Sequence, residues 1–152
     1  HVYICLGTTI KKAGSQSEFK KVDFDYCVSF AKKAREFGAT KISLISSVGA
    51  NPYANNFYLK IKGEVEEEIK KIDFQAINIF CPSLLLGQRD ESRFIENIGQ
   101  NLSSSINFLL IGPLRKYRSV KASNVAFCMA NYEQNGGIRY LYFDDFQLCF
   151  RE

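Results

Sequence analysis

The sequence predicts an α/β fold in which a parallel sheet carries helices on its faces. Three observations predict it. Short apolar runs of strand length alternate with amphipathic stretches of about 12 to 20 residues, the signature of right-handed βαβ units. Three of those strand runs end in small polar residues, Gly7-Thr8-Thr9, Ser46-Ser47 and Pro82-Ser83. Parallel sheets bind ligands at the carboxyl ends of their strands, so these ends point at one crevice. Finally, 152 residues with 46% hydrophobic and 24% charged side chains are enough for one packed core and too apolar for global disorder.

The elements follow in order. Val2 to Leu6 is a short apolar run stopped by Gly7, which reads as a buried strand. Lys11 to Gly14 reads as a polar loop. From Ser17 to Phe37 the apolar positions Phe19, Val22, Tyr26, Phe30, Ala34 and Phe37 recur at three- and four-residue steps. This predicts one long helix, capped by Ser15 or Ser17 and stopped by Gly38. Lys41 to Ser46 is a second strand, and Ser47 to Asn56, with its Gly, Pro and Asn, is a loop. Phe57 to Ile72 is a second helix. Ala76 to Cys81 is a third strand ended by Pro82. Glu91 to Leu102 reads as helix and Ser103 to Val120 as ambiguous. Ala122 to Glu133 is helical, closed by Gly136-Gly137, and Ile138 to Phe143 is a fourth strand.

Composition excludes several functions. No apolar run approaches the roughly 18 residues of a membrane helix. The net charge of +4 is spread among acids, as from Glu64 to Lys71, and gives a weak field rather than a nucleic-acid footprint. The single histidine, His1, leaves no Ser-His-Asp or Cys-His catalysis and no His-based zinc site, and no metal is expected. The five cysteines are odd in number, without a C-x-x-C pair, and four interrupt apolar runs. They read as small buried hydrophobes in a reducing cytoplasm.

Tyr58 and Lys62 form Tyr-x-x-x-Lys, which puts both on one helix face. An ammonium beside a phenol favours the phenolate, and the phenol can then exchange a proton with a carbonyl or hydroxyl. Ser47, eleven positions upstream at a strand end, offers a hydroxyl for the same substrate oxygen. Packing of Tyr58 on the sheet with a solvated Lys62 satisfies the same pattern. A second match, Tyr117 with Lys121, follows no strand end and reads as chance. Gly7 and Thr8 can admit and bond a ribose or phosphate, or form an ordinary turn. The acidic run Glu64 to Glu68 reads as a solvated helix face. Arg89, Asp90, Glu91 and Arg93 read as surface charges above the crevice.

In combination, Cys5-Leu6-Gly7-Thr8-Thr9, Val22-Asp23-Phe24-Asp25-Tyr26, Ser46-Ser47-Val48-Gly49-Ala50-Asn51, Asn56 to Glu66 and Pro82 to Gly87 resemble the atypical short-chain dehydrogenase/reductases. The closest branch is the Tat-interacting-protein type, whose bacterial members are often labelled nucleoside-diphosphate-sugar epimerases. The resemblance runs from His1 to about Phe143. It implies a Rossmann-like fold and an NAD(P)-dependent oxidoreductase that moves hydride between the cofactor, NADP or NAD, and a small carbonyl or hydroxyl substrate. Tyr58 is then the acid/base, Lys62 its partner and a nicotinamide-ribose ligand, and Ser47 the substrate-orienting hydroxyl, ahead of Ser46. Gly7 and Thr8 line the dinucleotide, and Pro82 and Ser83 border the nicotinamide, although the family often has Pro-Gly there. Arg115, Lys116 and Val120 to Val125 match a family segment without an assigned role.

The sequence has no G-x-x-G-x-x-G turn, the element that cradles a pyrophosphate. On the resemblance, residues 1–152 correspond to one domain from about the family's fourth strand onward, out of about 210 to 220 residues. Pairing with a second chain that supplies the other half is the rival expectation. A cofactor-sensing module without turnover and a structural half-domain are the rival functions. The oligomeric state is open, a homo-oligomer included.

Overall fold

A computed structural model describes residues 1–87 and 110–149. The helix expected over Glu91 to Leu102, the part of the ambiguous stretch at 103–109, and Arg89, Asp90, Glu91 and Arg93 lie outside the described residues. The chain forms two compact units, His1–Cys81 with Glu133–Tyr140, and Pro82–Tyr132 with Leu141–Glu152.

The first unit is built on β1 (Val2–Ile4), β2 (Lys41–Ile45), β3 (Ala76–Phe80) and β6 (Gly137–Leu141), in the order β1-β2-β3-β6. The first three strands run parallel, with Ile4 opposite Leu44 and Leu44 opposite Ile79. One sheet face is therefore the apolar set Val2, Ile4, Ile42, Leu44, Ile77 and Ile79. Ile4, Ile42, Leu44, Ile77 and Ile79 of this face are buried, as are Phe19, Ala31, Ile61, Val65 and Ile69 from the helices. Burying a side chain of this size contributes about 1.5–3 kcal/mol each.

Between β1 and β2 the chain makes α1 (Ile10–Ala13), α2 (Gln16–Lys20), a π-helical segment (Lys21–Tyr26) and α3 (Cys27–Glu36). The polar loop expected at Lys11 to Gly14 is thus a helical turn. Thr9 caps it by accepting the Lys12 N–H at 3.2 Å, and Gly14 closes it at φ +84°. Ser15 is the cap of α2, accepting the Glu18 N–H at 3.1 Å. Gly38, at φ +89°, follows the end of α3 as expected.

The face of the long helix differs from the sequence expectation. Phe19 is buried, but the buried positions after it are Asp23, Cys27, Val28 and Ala31. Tyr26, Phe30 and Phe37 are exposed. A π turn takes one residue more than the 3.6-residue repeat allows, so the inward face moves on by one position beyond Phe19.

The second helix, α4 (Phe57–Lys70), starts where expected, capped by Asn56, which accepts the Leu59 N–H at 3.1 Å. In the second unit the short strands β4 (Leu85–Leu86) and β5 (Val120–Lys121) pair in parallel, and a 3-10 turn covers Gly112–Tyr117. α5 (Ala122–Asn131) and α6 (Phe143–Cys149) follow. Phe143 opens α6 rather than ending a strand, because Asp145 accepts the Tyr142 N–H at 2.8 Å and starts a helix there.

The cysteines divide. Cys27 and Cys81 are buried thiols, as expected, and Cys5 is exposed. Cys128 and Cys149 form a disulfide, with Cα atoms 5.1 Å apart, between α5 and α6. Spacing alone gave no sign of it, since the pair is created by the packing of two helices.

Candidate functional site

In the first unit the site grows from the end of β1. Gly7 and Thr8 leave the strand, and the Thr8 N–H donates to Asp23 Oδ2 at 2.8 Å. Asp23 lies on the π segment and is 1% exposed. Its other oxygen, Oδ1, is 2.9 Å from Lys62 Nζ on α4. The Lys62 ammonium lies 5.9 Å from the centre of the Tyr58 ring. Lys62 is therefore not the solvated helix residue of the rival expectation: its side chain is 7% exposed and its charge sits against a carboxylate and a phenol ring. Tyr58 itself is 38% exposed, its ring edge-packed on Phe19 at 6.1 Å.

Gly7 adjoins the same ion pair. A Cβ there would lie 3.4 Å from Asp23 Oδ1 and 3.9 Å from Lys62 Nζ. The bare backbone of the turn thus faces the charged pair. Cys27, one turn beyond Asp23, feels both charges: burial pushes its thiol up to about 11, with Lys62 pulling down and Asp23 adding to the rise.

The two serines at the end of β2 are in different states. Ser46 is buried, its N–H bonded to Phe80 O at 2.8 Å and its hydroxyl donated to Glu66. Ser47 is half-buried, and its hydroxyl makes a long 3.4 Å contact with the Val48 carbonyl. The loop that carries Ser47 is seated on α4. Asn51 N–H donates to Leu59 O at 3.1 Å, and a Cβ on Gly63 would lie 2.3 Å from both Asn51 C and Pro52 N. Only glycine lets the loop lie against the helix at this point.

Glu66 corrects the expectation of a wholly solvated acidic run. It is 5% exposed and accepts from Ser46 and, at 3.3 Å, from Tyr140 Oη. Burial holds its carboxyl above the ordinary carboxylate range, against the pull of those two hydrogen bonds. Glu64, Glu67 and Glu68 do pair outward, with Lys20, Lys70 and Lys71. Tyr58, Lys62 and Glu66 continue one i, i+4, i+8 row on the inward face.

Pro82 and Ser83 belong to the second unit. Pro82 is buried, and the Ser83 hydroxyl donates to the Arg118 carbonyl beside the β4–β5 pair. In the same unit Arg115 pairs with Asp144 at 2.7 Å, and Arg118 Nε donates to Leu110 O at 2.8 Å. The second Tyr-x-x-x-Lys match spans a 3-10 turn and a strand, Tyr117 in one and Lys121 in the other, so it has no shared helix face.

Sequence reasoning missed Asp23 and Glu66 as members of these networks. The signal for Asp23 was an acid four residues after Phe19, on the apolar side of an amphipathic helix. The signal for Glu66 was the Tyr58-to-Lys62 spacing carried one turn further.

No protein-family profile matches the chain. Known proteins do. The mitochondrial protein FMP52 of Candida albicans is 38% identical over 137 residues, covering 89% of this chain and 59% of that protein. Protein HTATIP2 of Rattus norvegicus is 41% identical over 91 residues, covering 60% of this chain and 37% of that one. Among solved structures, the Bordetella bronchiseptica enzyme WbmG in complex with NAD superposes with a TM-score of 0.61 at 13% identity, covering 93% of this chain and 50% of that one.

The fold is Rossmann-like, and the chain is similar in sequence to FMP52 and HTATIP2. This Rossmann protein spans between a third and three fifths of the lengths of those two curated relatives. The cytoplasmic location expected above is corrected by the same comparison, because the Candida albicans relative is named mitochondrial. Cysteine count reports only on redox conditions, and so cannot separate one compartment from another of similar potential.

Proposed function

We propose that this chain is the substrate-side part of an NAD(P)-dependent oxidoreductase acting on a small carbonyl or hydroxyl compound. One observation carries the reading: the Lys62 ammonium is buried between the Asp23 carboxylate and the Tyr58 ring. A buried ammonium beside a half-exposed phenol is the arrangement a proton-transferring tyrosine needs.

The residues fit a nicotinamide dinucleotide on its ribose side. Lys62 offers donors to ribose hydroxyls, and the backbone of Gly7 and Thr8 borders the same pair without a side chain in the way. When bound, the dinucleotide supplies or accepts the hydride. Tyr58 gives the substrate oxygen a proton in reduction and removes one in oxidation. Ser47, rather than the internally bonded Ser46, holds that oxygen.

The fold likeness to NAD-bound WbmG and the relationship to HTATIP2 support this reading. The naming of FMP52 supports a mitochondrial location, which fractionation of cells expressing the full-length protein would test. For the activity, the full-length protein is supplied with NADH or NADPH and a panel of small aldehydes and ketones, and the fall in cofactor absorbance is followed. Tyr58→Phe is expected to abolish turnover while keeping cofactor binding. Equal turnover by the variant would sink the mechanism, and tight binding without turnover in the unaltered protein would favour a cofactor-sensing module.

A further inference from the structure

We infer that Asp23 is a positioning residue that sets the Lys62 ammonium and the Gly7-Thr8 turn in register for the nicotinamide-side ribose. The inference rests on the oxidoreductase reading and deepens it.

Asp23 divides its two oxygens between two elements. Oδ2 takes the Thr8 N–H at the end of β1, and Oδ1 faces Lys62 on α4. One carboxylate therefore fixes the distance between the strand end and the helix that between them carry four of the proposed site residues. The pair is largely shielded from solvent, with the Asp23 side chain 1% and the Lys62 side chain 7% exposed. An ammonium has three N–H donors. Lys62 Nζ meets Asp23 Oδ1 as a 2.9 Å ion pair, so the carboxylate fixes where the ammonium sits, and a ribose diol presents two acceptors to its donors.

The π segment is what brings Asp23 inward together with Cys27 and Ala31. π turns inside α-helices recur at functional sites. The extra residue also leaves Tyr26 and Phe30 in solvent, an arrangement that packing alone would disfavour. The local geometry therefore favours the placement of a carboxylate over the burial of two aromatic rings.

A merely structural counterion would need only its negative charge near Lys62. A positioning group also needs its reach, and the two roles separate on that point. Asp23→Glu keeps the charge and adds one methylene, which moves the carboxylate relative to both partners. Asp23→Asn keeps the reach and removes the charge. The full-length protein and each variant are titrated with NADH and NADPH, and with ADP as a probe that lacks the nicotinamide-side ribose. Melting temperatures are recorded alongside.

Both variants are expected to bind the preferred dinucleotide about tenfold or more weakly, the scale of one charge-assisted hydrogen bond, with ADP binding unchanged. If Asp23→Asn does not fold, Asp23→Glu decides the matter alone. Dinucleotide binding by the Glu variant at the strength of the unaltered protein would overturn the positioning role. So would an equal loss for ADP and the dinucleotide. Failure of the unaltered full-length protein to bind either dinucleotide would overturn the oxidoreductase reading and this inference with it.

Discussion

Replacing Gly63 by alanine tests how the loop that carries Ser47 is held to the helix that carries Tyr58 and Lys62. In an exposed helix interior the change is stabilising by about 1 kcal/mol, because alanine loses less backbone entropy than glycine. Here the added Cβ would stand 2.3 Å from Asn51 C and from Pro52 N, where ordinary contact begins near 3.4 Å. The obstacles are backbone atoms, so no rotamer change relieves the clash, and the loop must withdraw by about 1 Å. Overpacking of this kind costs about 1–3 kcal/mol, with more where backbone must move. The cost exceeds the propensity gain, and Gly63→Ala is expected to lower stability by about 1–2 kcal/mol net. Urea denaturation of the full-length protein and variant measures it. A displacement of about 1 Å at Ser47 is also expected to reduce turnover by roughly a hundredfold. A variant more stable than the parent, with activity intact, would show that the loop does not rest on Gly63.

Three further predictions follow from the buried groups. Lys62→Met leaves the Asp23 carboxylate buried without its partner and is expected to cost about 3–5 kcal/mol, while the double variant with Asp23→Asn recovers most of that in the same denaturation assay. Glu66 has a carboxyl held above its unfolded value of 4.5 by burial, so the folded state keeps that proton to higher pH than the unfolded chain does. Its contribution favours folding below pH 4.5 and is lost as pH rises through the folded value. Glu66→Gln is therefore expected to flatten the fall in urea midpoint above pH 4.5, and identical slopes would contradict this. For the cysteines, a thiol reagent at pH 8 is expected to label exposed Cys5 in the native protein and to spare Cys27, whose thiol is pushed up to about 11, and Cys81, which burial raises further. Peptide mass mapping reads the result, and rapid native labelling of Cys27 would contradict the burial.

Local patterns were legible and contacts between distant segments were not. The Tyr58–Lys62 spacing could be read because i and i+4 meet on any α-helix, and α4 is regular over that span. The strands could be read because continuous apolar runs mark parallel, doubly covered sheets. The inward face of the first long helix was misread after Phe19, since a 3.6-residue repeat cannot anticipate a π turn. Asp23 was lost with it. Glu66 looked like part of a solvated run because its reasons for burial, Ser46 and Tyr140, lie 20 and 74 residues away. The Cys128–Cys149 bond depends in the same way on how α5 meets α6. Gly63 carried no signal either, as a glycine in a helix gives no hint of the backbone packed on it.

The central claim is that hydride moves between a nicotinamide and a carbon whose oxygen is served by Tyr58. Isotope transfer tests it most directly. The full-length protein is given NADH or NADPH deuterated at the transferable C4 position with a reactive carbonyl compound, and the product alcohol is examined by mass spectrometry. The account predicts deuterium on the carbinol carbon from the unaltered protein and none from Tyr58→Phe. Deuterium transfer that persists undiminished in Tyr58→Phe would contradict it, as would dinucleotide binding by the unaltered protein with no transfer to any compound of the panel.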